Sequence, residues 1–115
     1  MNMRNLALFS LTAVTALLTS QAVFGADGKS VFSSNCASCH DSKGQGTPGL
    51  APALKGDAFV TGGKLEDVLA VVTNGRAGDQ KKFKDMPIAM PAWSGKLSDA
   101  DIKTVVDYIR GDLQK

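Results

Sequence analysis

Cys36-Ala37-Ser38-Cys39-His40 holds both cysteines and the only histidine of the 115-residue chain, so its soft metal-ligand chemistry lies within five residues. Two cysteines three apart, followed at once by histidine, form the attachment pattern of a c-type haem: the thiols add across two vinyl groups and the imidazole ligates iron. The spacing has a mechanical basis. On a helical turn residues i and i+3 share a face, so both sulfurs reach one edge of a flat macrocycle while the next residue carries its ring beneath the metal. Other chemistries use the same residue types. A structural zinc site needs four ligands, and beyond these three only carboxylates remain. A thioredoxin-like dithiol belongs in a β-α-β setting, which the flanking sequence does not supply. A disulfide would leave His40 without a task and would close a loop too small to stabilise much.

Attachment of this kind follows export, and the beginning of the chain reads as an export signal. Arg4 forms a short basic region, Leu6 to Leu18 is an apolar run, and small residues follow, with cleavage after Ala22 or Gly25 both satisfying the small-residue rule. The apolar run is shorter than the roughly 20 residues needed to span a bilayer, so no stable membrane insertion is expected. The organisation read is a leader over 1–25 and a single domain over 26–115. Removing the leader removes Arg4 and takes the formal charge from +2 to +1, too little to argue for nucleic-acid binding.

A mature chain of about 90 residues buries only about 60 to 65 per cent of its surface and is marginal alone. Its aromatics are Phe32, Phe59, Phe83, Trp93 and Tyr108. A covalently held, mostly apolar haem would supply the missing core, as staples do in other small domains.

Asp27 is placed to cap a helix that runs into the motif, with Gly28, Val31, Phe32, Cys36 and Cys39 along one face. At Gly28 the missing side chain would let another helix cross closely. From Asp41 to Gly56 come Gly44, Gly46, Gly49 and Gly56 with Pro48 and Pro52, the composition of an irregular loop wrapped around an object. Its apolar Leu50 and Leu54 favour a functional loop over a disordered one. Lys64 to Asn74 reads as a helix: Leu65, Val68, Leu69 and Val72 repeat at helical spacing, and Asn74-Gly75 is its stop. In the last segment Ser98 and Asp101 resemble a capping box, Leu97 is placed to pack on Ile102, and Ile102, Val105, Val106, Ile109 and Leu113 form one stripe flanked by Tyr108. No strand-period stretch, internal repeat, GxGxxG pattern or P-loop is present.

Between Gly75 and Trp93 periodicity disappears and two Met-Pro pairs occur, Met86-Pro87 and Met90-Pro91. Proline biases the methionine before it toward extended backbone, which presents the thioether sideways. Methionine in a small core is more often filler than ligand, but a haem iron one ligand short reverses that weighting.

These residues together resemble a small bacterial class I cytochrome c, over essentially the whole mature chain. The resemblance rests on the Cys36–His40 motif, the Ala51-Pro52-Ala53-Leu54-Lys55-Gly56 loop, the Met90-Pro91-Ala92-Trp93 segment and the closing Val105–Ile109 helix. It implies an all-α fold of three to four short helices around one haem c. It also implies thioethers at Cys36 and Cys39, iron ligation by His40 and Met90, and a Pro52 carbonyl that accepts the second ring N–H of His40. Leu54 and Trp93 would pack on the haem, and Gly28 with Phe32 would cross the terminal helix near Tyr108. The stretch from Gly75 to Met90 is longer than in the tersest members, which leaves Met86 as the alternative sixth ligand.

With both axial positions filled, the available chemistry is one-electron transfer, so the chain reads as a periplasmic electron carrier and not an enzyme. It is expected to be monomeric and to meet a redox donor and acceptor, with an oxidase or a dehydrogenase among the candidates. Lys81, Lys82 and Lys84 would form a local positive rim that steers it to an acidic patch. The competing functions are a haem-based ligand sensor or weak peroxidase with a displaceable methionine, and a dedicated electron-transfer subunit of a dehydrogenase.

Overall fold

The computed structural model describes residues 27–78, 81–82 and 86–115. The leader expected over 1–25, Phe83 and Lys84 lie outside the described residues. Within them are five α-helices, α1 (Gly28–Asn35), α2 (Ala37–His40), α3 (Ala58–Gly62), α4 (Leu65–Asn74) and α5 (Asp99–Arg110), followed by a 3-10 turn at Asp112–Gln114. No β-strand forms among the described residues; only isolated bridges occur, one of which joins Arg76 and Met90.

The helix starts follow the capping chemistry. The Asp27 carboxylate accepts from the Ser30 N–H at 2.8 Å, and Ser98 Oγ accepts from the Asp101 N–H at 3.1 Å. Each bond satisfies one of the backbone donors that a helix start leaves open. Helix α4 has no side-chain cap, but Glu66 and Asp67 place negative charge in its first turn, where the helix dipole favours it. It stops at Gly75, whose N–H reaches the Val71 carbonyl at 2.8 Å.

Helix α5 is the element on which the others pack. Its Ile102, Val105, Val106 and Ile109 are buried, and they join Val31 and Phe32 of α1, Val60 of α3, Val68 and Val72 of α4, and Leu113 in one cluster. Burying a side chain of this size contributes about 1.5 to 3 kcal/mol. Helices α1 and α5 cross at Gly28, where a Cβ would stand 2.5 Å from Tyr108 Cβ and 2.7 Å from the Thr104 carbonyl oxygen. Only glycine permits that approach. Beside the crossing, the Phe32 and Tyr108 rings lie 5.6 Å apart at a 52° tilt.

The helix count exceeds the expected three to four for two local reasons. The motif helix breaks at Cys36, whose φ of −107° departs from regular helix, and the motif forms a separate turn that starts with the Cys39 and His40 N–H groups on the Cys36 carbonyl at 3.2 and 2.9 Å. Helix α3 was not expected from the sequence. It is nucleated by Asp57, whose carboxylate accepts from the Val60 N–H at 3.0 Å, and it buries a single residue, Val60.

Candidate functional site

The loops between the helices enclose an apolar cleft of about 320 Å³. Cys36, Cys39, His40, Pro52, Leu54, Met90 and Trp93, which the sequence places in three separate segments, all line it. Met86 lines it as well. The two cysteines are free thiols. Cys36 is buried, and burial, assisted by the neighbouring Cys39, pushes its thiol pKa up to about 11.

On one side of the cleft His40 is only 9 % exposed. Its Nδ1 lies 2.9 Å from the Pro52 carbonyl oxygen. A carbonyl can only accept, so Nδ1 carries the proton and Nε2 of the neutral ring is left as a donor of electrons. Burial lowers the His40 pKa and so favours that neutral form, outweighing the Pro52 bond, which pulls the pKa up. The loop that delivers Pro52 is folded by its own backbone: Gly46 N–H donates to the His40 carbonyl at 2.9 Å, and the N–H groups of Leu54 and Lys55 donate to the Gly44 carbonyl at 2.8 and 2.9 Å. Gly46, at φ +77°, sits directly under this strap; a Cβ there would be 2.5 Å from the Ala53 nitrogen.

On the other side Met90 is half-buried against the core. Its N–H and carbonyl each exchange a 3.0 Å hydrogen bond with Arg76. Gly75, at φ +68°, allows this contact, because a Cβ there would stand 2.5 Å from the Met90 carbonyl oxygen. The next residues are tied down too: the Trp93 N–H donates to Val72 and the Ser94 N–H to Thr73, both at 3.1 Å. Among the described residues Met86 has no comparable backbone partner; its carbonyl accepts from Lys81 Nζ.

Some cleft residues escaped the sequence reading. The Arg76 guanidinium lies 5.0 Å from the Phe59 ring centre, and both line the cleft. Val68 and Val72, expected as ordinary core, also form its wall. The faint signal for Arg76 was its position immediately after a helix stop. Of the rim cations, Lys81 and Lys82 line the cleft; Lys82 also lies 3.7 Å from the Asp57 carboxylate and 5.9 Å from the Phe59 ring centre.

Residues 24–109 match the family described as cytochrome c oxidase, cbb3-type, subunit III. Cytochrome c6 of Leptolyngbya boryana is 39% identical over 92 residues, covering 78% of this chain and 94% of that protein. The chain is a small class I c-type cytochrome. The cytochrome is also 39% identical over 90 residues to the cbb3-type oxidase subunit CcoP of Azospirillum sp. (strain B510), where the match covers 73% of this chain but 27% of that subunit. Among solved structures, cytochrome c6C from Synechococcus sp. PCC 7002 superposes with a TM-score of 0.55 at 28% identity, over 76% of the cytochrome and 94% of its relative. The family is one of haem c proteins, and the chain spans about a quarter of the length of the oxidase subunits it matches. Among the described residues no helix is long and apolar enough to cross a membrane.

Proposed function

We propose that this cytochrome holds one haem c through thioethers at Cys36 and Cys39, with His40 and Met90 as axial ligands. The observation that carries the proposal is the convergence of two free thiols, a histidine with its second nitrogen fixed by Pro52, and a thioether on one apolar cleft. That donor set fits a haem: soft sulfur and imidazole for the iron, and apolar walls from Leu54, Val68, Val72 and Trp93 for the porphyrin. The haem supplies a ferrous/ferric one-electron couple. His40 serves as an oriented electron donor, because the Nδ1–H bond to Pro52 fixes its tautomer and raises its basicity. Met90, a weak thioether donor, favours the ferrous state. The remaining side chains exclude water and hold both ligands still between oxidation states. Such a protein transfers electrons without catalysing a reaction of its own.

Met90 is favoured as the sixth ligand, since paired backbone bonds with Arg76 hold it on the cleft, a pairing that Met86 lacks among the described residues. The leader over 1–25 would deliver residues 26–115 to the periplasm, where the protein works as a monomeric carrier between a redox donor and acceptor. Arg76, Lys81 and Lys82 around the cleft favour partners with acidic docking patches.

Visible spectra of both redox states, taken with and without carbon monoxide on the reduced protein and cyanide on the oxidised one, test this reading. A far-red thioether-to-ferric-iron absorption with slow or absent ligand binding is expected. Rapid binding of either ligand at neutral pH would instead indicate a sensor or peroxidase.

A further inference from the structure

Gln114 lies in the 3-10 turn after α5, far in sequence from the cleft, yet its carboxamide is committed at both ends. Oε1 accepts from the Gly56 N–H at 2.7 Å. Nε2 donates to the carbonyls of Leu54 at 3.0 Å and Ile109 at 2.9 Å. One neighbouring donor and two neighbouring acceptors fix which end of the amide is which. Leu54 and Gly56 follow Pro52 by two and four residues, so the amide grips the same strap whose Pro52 carbonyl meets His40. Opposite Gln114, the strap's Leu54 and Lys55 N–H groups are held by the Gly44 carbonyl. The strap is therefore clamped between Gly44 and Gln114, and Gln114 ties it to the end of α5, the helix on which the core is built.

We propose that Gln114 is a positioning residue for the axial histidine: it acts through the 52–56 strap to hold the Pro52 carbonyl on His40 Nδ1, and so sets the electron-donating strength of that ligand. This rests on the reading of His40 as the haem ligand. The physical link is direct. A looser strap lengthens the bond at Nδ1, a weaker bond makes the imidazole a poorer donor, and a poorer donor stabilises the ferric state less. Releasing Gln114 therefore raises the reduction potential.

The test uses the haem-loaded protein and compares wild type, Gln114→Met, which keeps the length of the side chain without its hydrogen bonds, Gln114→Ala, and Lys115→Ala, which removes only the exposed pairing with Asp112. The readouts are NMR exchange of the His40 ring proton, exchange of α5 core amides such as Val105, and the reduction potential. Losing these bonds is expected to speed ring-proton exchange about tenfold, since about 1 to 1.5 kcal/mol of local protection is removed. The potential should rise in both Gln114 variants, Val105 exchange should stay at the wild-type rate, and Lys115→Ala should match wild type throughout. Unchanged ring-proton exchange and potential, or an equal acceleration at Val105, overturns the proposal and leaves Gln114 a general stabiliser. Should Gln114→Ala not mature, Gln114→Met carries the same decision. A wild-type spectrum lacking an iron-bound histidine would instead defeat the functional reading itself.

Discussion

The two walls of the cleft reach similar ends by different means. Each ligand-bearing strap lies flush on a positive-φ glycine, Gly46 beneath Pro52–Ala53 and Gly75 beneath Met90–Pro91. On the histidine wall the bonds include the ligand side chain itself, because Pro52 engages the imidazole ring. On the methionine wall the bonds hold only backbone, through Arg76, and a thioether has no strong donor or acceptor to offer. The histidine ring is thus oriented by the protein alone, whereas the methionine side chain is brought to the cleft with only its backbone held. On the proposed reading, that asymmetry would keep the stronger ligand fixed in both oxidation states.

The sharpest way to break the comparison is to remove each methionine. Met90→Ala should abolish the far-red absorption of the ferric protein and open the reduced protein to carbon monoxide, while Met86→Ala leaves both as in wild type. The reverse pattern would move the anchored ligand to a segment without paired backbone bonds and end the contrast drawn here. Next in size are Gly46→Ala and Gly75→Ala. Each forces a Cβ into a left-handed backbone and against a strap, and each should cost about 3 kcal/mol, read from denaturant midpoints. They should separate spectrally: Gly75→Ala weakens the far-red band, and Gly46→Ala keeps it while speeding exchange of the His40 ring proton.

The smallest effect lies away from both walls. The Ser30 N–H bond holds the Asp27 carboxyl below its usual range. A depressed folded pKa contributes stability that is complete above the unfolded value near 4 and disappears as pH falls through the folded value. Asp27→Asn keeps a cap but cannot titrate. The small advantage of wild type over this variant at pH 7 should therefore vanish in acid, measured as the difference between their unfolding midpoints. A pH-independent difference would show that charge plays no part at this cap.

Much of this architecture was legible in the chain because long-period signals report it. The α5 stripe and its Ser98 cap and the α4 repeat with its Gly75 stop follow from spacing and residue type, whereas the crossing of α5 at Gly28 came from the family resemblance. Helix α3 was not legible: five residues with one buried side chain give no periodicity, and Asp57 reads equally well as a loop residue. The break at Cys36 was hidden because helical spacing continues across it, while a single residue's departure from helical φ leaves no mark on composition. Arg76 and Gln114 were missed for a common reason. Their partners, the Phe59 ring and the backbone of Leu54 and Gly56, are 17 and about 60 residues away, and neither is named by side-chain chemistry.

The bridge between Arg76 and Met90 separates what lies between them from what lies on either side. Because those two residues are bonded directly, residues 77–89 form a closed excursion whose ends are already joined. Doubling the length of such a loop costs only about 0.6 kcal/mol of closure entropy. Lengthening that excursion therefore costs the Arg76–Met90 bridge little. On the proposed reading, sequence on that excursion could change to suit a different redox partner while the anchor at Met90 stays as it is.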